Sequence, residues 1–193
     1  MNDTWYEEVE ASESLTQGDI IEKCPILEWT SEPLRPRDGG EHLDLEGMVD
    51  VVEADVVIMT QACDLEQGKV TNVVLCPHLS LSEFREDWEN TMRRQGQNPT
   101  QKSWSRYCKH ICDGQIWNLT MLDAGSCETL STEHCIVDFA EVFTVPRRFL
   151  ESFLEQRGEL RLRLRPPYRE HLSQAFARYF MRVGLPVGVT PAW

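Results

Sequence analysis

The chain has 193 residues, 41% of them hydrophobic, enough for one domain with a sizeable core. Nineteen Lys and Arg against 32 Asp and Glu give a formal net charge of −13, which argues against wholesale wrapping of nucleic acid. The longest apolar runs, such as Val56 to Met59, are too short to span a membrane. The acidic start (Asp3, Glu7, Glu8, Glu10) is unlike a signal peptide, so a cytoplasmic protein is expected.

Residues 1–14 are acidic and polar and are expected to form a loosely docked arm. Gly18-Asp19-Ile20-Ile21 opens the first strand, and Pro33, Pro36, Asp38, Gly39 and Gly40 mark residues 30–47 as a loop. The β-branched run from Val49 to Gln61 predicts a strand whose buried part is Val56 to Met59. A turn over residues 62–69 and a second strand, Val70 to Cys76, stopping at Pro77, predict a hairpin.

Ser80 with Glu83 reads as a capping box ahead of a polar helix reaching about Gln95. Trp104, Tyr107, Cys108 and Ile111 follow helical spacing up to Gly114, and Trp104 and Trp117 are expected in the core of this inserted part. Strands are expected within 116–122, over 135–139 and over 142–145. A short amphipathic helix with Phe149, Leu150, Phe153 and Leu154 should then stop at Gly158. Leu160-Arg161-Leu162-Arg163-Leu164-Arg165 alternates as a strand does, and Pro166-Pro167 leads into a helix with an apolar stripe of Leu172, Ala175, Phe176, Tyr179, Phe180 and Val183.

Seven cysteines, an odd number without C-x2-C spacing, fit reduced thiols better than a disulfide framework. In Cys108-Lys109-His110-Ile111-Cys112 a helix puts the two thiols on one face and His110 nearly opposite. The expectation is therefore no metal site and no cofactor.

Two groups carry candidate chemistry. Gln61, Cys63 and Asp64 sit at the end of the core strand, and His78 closes its partner. A thiol beside an imidazole makes a nucleophile pair, whereas a buried Cys, an Asp64 turn and a packed His make only structure.

The second group is basic. From Pro146 onward there are nine arginines against four glutamates. On a strand, Arg161, Arg163 and Arg165 would line one outer face at about 6.7 Å spacing, with Arg169, Arg178 and Arg182 extending it. Such a face suits an acidic segment of a protein partner or an RNA backbone, and equally protects an edge strand. Of the two ligands the acidic segment is favoured, and the fold is expected to survive replacement of the three arginines by Glu.

Gly18-Asp19-Ile20, Val56-Val57-Ile58-Met59 with its hairpin to Val73-Val74-Leu75-Cys76-Pro77, and the run from Ile136-Val137-Asp138-Phe139 through Val142-Phe143-Thr144-Val145-Pro146-Arg147-Arg148-Phe149-Leu150 resemble the MazF/PemK-like toxin family. The resemblance covers about half the chain in two pieces. It implies an SH3-like β-barrel within a mainly β, α+β fold, homodimerisation, and ancestry among RNA-cleaving toxins of bacterial toxin–antitoxin or defence loci. The barrel would occupy residues 15–158 with a helical insertion at about 80–130, followed by a basic strand–helix extension over 159–193.

The family's ribonucleases carry an Arg-Pro pair where this chain has Ala54-Asp55, and a Thr where it has His78-Leu79-Ser80. The expected function is therefore a catalytically degenerate binding or regulatory module. The alternative is a metal-independent endoribonuclease with catalytic groups relocated to Gln61, Asp64, His78 or the C-terminal arginines.

Overall fold

The structure is a computed structural model that describes residues 4–30 and 48–181. It is a mixed α+β fold. The N-terminal strand β1 (Tyr6–Val9) is followed by two ten-residue strands, β2 (Ile20–Trp29) and β3 (Val49–Ile58), which pair antiparallel from Ile20↔Val57 to Trp29↔Val49. The short helix α1 (Ala62–Glu66) then leads into β4 (Asn72–Ser80), antiparallel to β3. The expected hairpin is present, with a helical turn in its connection.

Helices α2 (Leu81–Arg94) and α3 (Gln101–Cys112) form the insertion. The Ser80–Glu83 capping box closes in both directions, and Thr100–Ser103 makes a second one at the start of α3. Phe84, Trp88, Trp104 and Tyr107 stack between these helices; Trp104 is buried, whereas Trp117 is 44% exposed and lies outside that core.

Strand β5 (Leu119–Leu122) and the small hairpin β6 (Gly125–Ser126) and β7 (Ser131–Thr132) precede β8 (Cys135–Asp138) and β9 (Phe143–Pro146). Helix α4 (Arg147–Arg157) ends at Gly158 in the left-handed region, as the amphipathic spacing predicts. Strand β10 (Arg161–Leu164) and helix α5 (Tyr168–Phe180) complete the described chain. No helix among the described residues is long and apolar enough to cross a membrane.

The main sheet runs β2-β3-β4-β8-β5, with β9 also on β4. Strand β4 does not stop at Pro77. Its pairing with β3 ends at Val56↔Pro77, where the imide nitrogen can donate nothing, and β4 continues to Ser80 against β8 on its other side. Beyond Pro77, β3 and β4 are therefore not paired.

The N-terminal segment is not loosely docked. β1 pairs with β10 from Tyr6↔Leu164 to Val9↔Arg161, and β10 joins the main sheet through Asp19↔Arg163 and a Leu164 N–H to Gly18 O bond of 3.0 Å. Tyr6 is 2% exposed, and its hydroxyl donates to Asp123 O at 2.7 Å; Glu8 accepts from Thr129 N and Leu130 N. Tyr6 thus links β1 to the end of β5 and Glu8 links it to the turn between β6 and β7, although no strand ladder joins β1 to β5 among the described residues. The C-terminal strand and helix share one buried cluster with the main sheet: Tyr6, Val57, Val137, Phe139, Leu162, Leu164 and Leu172. Val183 of the expected stripe lies outside the described residues, and Phe180 is 59% exposed.

Gly18 sets how closely β10 approaches the sheet. Its φ is +84°, and a Cβ there would lie 2.9 Å from Leu164 Cβ. Gly18→Ala meets strain and overlap together, so a loss of about 2 kcal/mol is expected in urea unfolding.

Candidate functional site

The separation of β3 and β4 opens a cleft of about 390 Å³. Glu53 and Asp55 line it from β3, Pro77, His78 and Leu79 from β4, Glu83 and Phe84 from α2, and Ile136, Asp138 and Glu141 from β8 and the turn after it. Five acidic residues thus line this space, and among the described residues no Lys or Arg does. On the other side of His78 lies a second cleft of about 310 Å³, bounded by Ile20, Glu22, Leu130, Arg157, Glu159, Arg161 and Leu162 among others.

His78 stands where the two clefts meet. It is 8% exposed, and neither Nδ1 nor Nε2 has a hydrogen-bond partner among the described residues. A buried imidazole without partners is uncommon, because leaving such groups unpaired costs about 1–3 kcal/mol. Burial pushes its pKa below the ordinary histidine value, and the opposing pull of Asp55 and Glu83 does not offset that. A neutral ring there offers one acceptor and one donor to whatever enters.

The neighbouring carboxylates are already oriented. Glu83 accepts from Ser80 Oγ at 2.6 Å and Ser80 N at 3.1 Å, and these bonds hold its pKa low. Asp55 Oδ1 accepts from Lys23 N at 2.7 Å at the bulge in β2, and Asp138 Oδ1 accepts from Asn118 Nδ2 and Ala140 N. One oxygen of each is fixed, which positions the other.

The depressed pKa makes a stability prediction. Between the folded value and the unfolded one of about 6.5, the unfolded chain binds more protons. The contribution of neutral His78 is therefore complete above about pH 6.5 and lost as pH falls through the folded pKa. Urea midpoints measured from pH 7.5 to 5 should fall more for the native protein than for His78→Gln.

The turn candidates lie elsewhere. Cys63 is exposed, its Sγ 3.8 Å from both Gln61 Oε1 and Asp64 Oδ1. Thr60 Oγ1 accepts from Val74 N, which anchors this turn towards the Asn72 end of β4. His78 is six residues further along, about 20 Å at strand rise. Cys63 and His78 form no nucleophile pair; strand direction carries them apart.

The arginine ladder also departs from its expected geometry. Arg161 is 5% exposed and gives Nε to Asp19 Oδ2 at 2.9 Å, Nη1 to Glu10 O and Nη2 to the carbonyls of Glu13 and Ser14. Arg163 binds the other carboxylate oxygen of Asp19 through Nε and Ser14 O through Nη2. Asp19 is fully buried between them. Arg161 and Arg163 thus face their own chain, because β1 and the segment after it cover that side of β10. Arg165 is exposed, with a long contact to Thr4 Oγ1; Arg169 pairs with Glu170 at 2.9 Å; Arg178 lies over the Trp117 ring, 5.9 Å from its centroid. Arg182 lies outside the described residues.

All seven cysteines are free, and Cys112 Sγ lies 3.7 Å from Met121 Sδ. No group of three or more His, Cys, Asp or Glu side chains able to hold a metal ion occurs among the described residues. Sequence reasoning missed Asp19 as the ladder's acceptor and the five acidic residues that line the cleft with His78, since these come from β3, α2, β8 and the turn after it. No family model, curated protein or solved structure matches this chain.

Proposed function

We propose that this chain is a binding and regulatory module that receives a cationic group of a partner in the cleft at His78. The observation that carries this reading is a buried, unpartnered imidazole in a cleft lined by Glu53, Asp55, Glu83, Asp138 and Glu141. A neutral ring can accept a hydrogen bond from an ammonium or guanidinium group, and the carboxylates supply the opposite charge.

In this reading the fold is an elaborated SH3-like barrel of the MazF/PemK-like kind. Its setting, by that resemblance, is a bacterial defence or toxin–antitoxin-related system. Asp55 supports a degenerate site: it stands where the family's nucleases carry Arg-Pro, so a group that would attract phosphate is replaced by one that repels it. The endoribonuclease alternative needs free cations to stabilise a developing phosphorane. Arg161 and Arg163 are already committed to Asp19 and to backbone carbonyls, which weighs against it.

Titration with spermidine and, separately, with a single-stranded RNA oligonucleotide tests the proposal. Saturable 1:1 spermidine binding that shifts the His78 imidazole resonances is expected, with no RNA binding. RNA cleavage abolished by His78→Ala would overturn it in favour of the nuclease.

A further inference from the structure

The cleft is one end of a longer feature. The pairing of β3 with β4 covers only Val56–Ile58, whereas β2 covers the opposite edge of β3 from Val49 to Val57. From Val49 to Asp55 one edge of β3 has no strand partner among the described residues. Seven residues at strand rise make an edge of about 23 Å, with backbone donors and acceptors at alternate positions.

The face beside that edge is apolar at its far end. Leu27↔Val51 and Trp29↔Val49 are cross-strand pairs with all four side chains on one face, and their exposures are 67%, 71%, 71% and 39%. Pro25↔Glu53 continues the same face towards Asp55 and the cleft. Four large apolar side chains grouped in this way form a patch rather than scattered exposure. The edge also lacks the usual protection. Val49 to Asp55 contains no Lys, Arg or Pro, and its charges are Asp50, Glu53 and Asp55.

We propose that this edge receives an extended segment of a partner protein whose every second side chain, all on one face, is apolar at one end and basic at the other, adding a strand to β3. Its apolar residues cover Leu27, Trp29, Val49 and Val51, and a Lys or Arg reaches the cleft at His78. The inference rests on the cationic-ligand reading and names the partner's form. Charge decides the occupant. A second copy laid edge to edge would bring two sets of Asp50, Glu53 and Asp55 together, and an RNA strand would meet the same repulsion. The basic end of such a strand meets Glu53 and Asp55, and its apolar end meets the exposed patch.

The test uses a labelled ten-residue Lys/Val peptide, with Val at two and Lys at three successive alternate positions and Thr between them, and a control with Glu in place of Lys, on the full chain, by fluorescence anisotropy. Hydrogen exchange of residues 49–55 is measured alongside. Val51→Lys places a cation on an exposed position, so the fold should be unaffected. The expected result is binding of the Lys/Val peptide alone, protection of 49–55 amides on binding, and at least tenfold weaker binding to Val51→Lys with an unchanged thermal midpoint. Spermidine affinity should stay the same in that variant. Peptide binding that ignores Val51→Lys, or brings no amide protection, would overturn strand addition while leaving the cleft reading intact if spermidine still binds. Concentration-dependent self-association abolished by Val51→Lys would also overturn it, by making the occupant a second copy.

Discussion

Asp19→Ala should lower the thermal midpoint by about 10 °C. Asp19 is fully buried, and its two oxygens divide between Arg161 and Arg163, whose side chains are 4% and 14% exposed. Removing the carboxylate leaves two largely desolvated guanidinium groups with backbone carbonyls alone. Breaking a buried pair in this way costs about 3–5 kcal/mol. A chain of this size loses roughly 2–4 °C per kcal/mol, which gives the stated shift.

The damage should also spread. Arg161 and Arg163 hold the carbonyls of Glu10, Glu13 and Ser14, so loss of their anchor releases the segment that leads from β1 into β2. Hydrogen exchange in residues 6–14 should rise before exchange in β3 and β4. Glu7→Ala, which removes a carboxylate paired opposite Arg163 on the exposed side of β1, should change stability by less than about 0.5 kcal/mol. By the same argument, replacing Arg161, Arg163 and Arg165 with Glu unfolds the protein. That runs against the expectation that the fold tolerates this change, because two of the three glutamates, at 161 and 163, would face a buried aspartate.

Local pattern was legible in the sequence wherever one short stretch contained the whole cause. Ser80 and Glu83 are three residues apart and satisfy each other's backbone groups, so the start of α2 needed nothing distant. The strict alternation of Leu162 and Leu164 with arginines gave the strand β10 for the same reason. What alternation could not give was which side of β10 faced water. That depended on residues 10–19, about 145 to 150 residues earlier in sequence, whose carbonyls and the Asp19 carboxylate cover the arginine side. Pro77 misled similarly. A proline ends pairing on one side of a strand, but β8, more than 50 residues later, continues it on the other. The cleft escaped notice because its carboxylates come from separate elements and look like ordinary surface charge one at a time. His78 was visible as a titratable residue at a strand exit, yet its missing partners are a property of the assembled fold.

Neutralising the cleft should weaken cation binding without harming the fold. Asp55→Asn keeps an oxygen for the Lys23 N–H and removes the charge, and Glu53→Gln changes an exposed side chain. Exposed charge pairs contribute about 0.2–1 kcal/mol each. The double variant should therefore bind spermidine about fivefold more weakly, with a thermal midpoint within about 2 °C of the native protein. Salt should narrow the difference, since screening acts on exposed charges.

The pH dependence of spermidine affinity tests the central claim most directly. The ring of His78 is neutral when buried; once protonated it would repel the ligand and could no longer accept its hydrogen bond. Because burial sets the pKa of His78 below the ordinary value of about 6.5, affinity should hold through pH 6.5 and fall severalfold only as the pH drops through the lowered value. In His78→Gln, which keeps a hydrogen-bonding group and cannot take up a proton, the fall over the same range should be smaller, set by the carboxylates alone. A flat profile in the native protein, or an equal slope in His78→Gln, would show that the cation does not meet His78 and would contradict the assignment of the cleft.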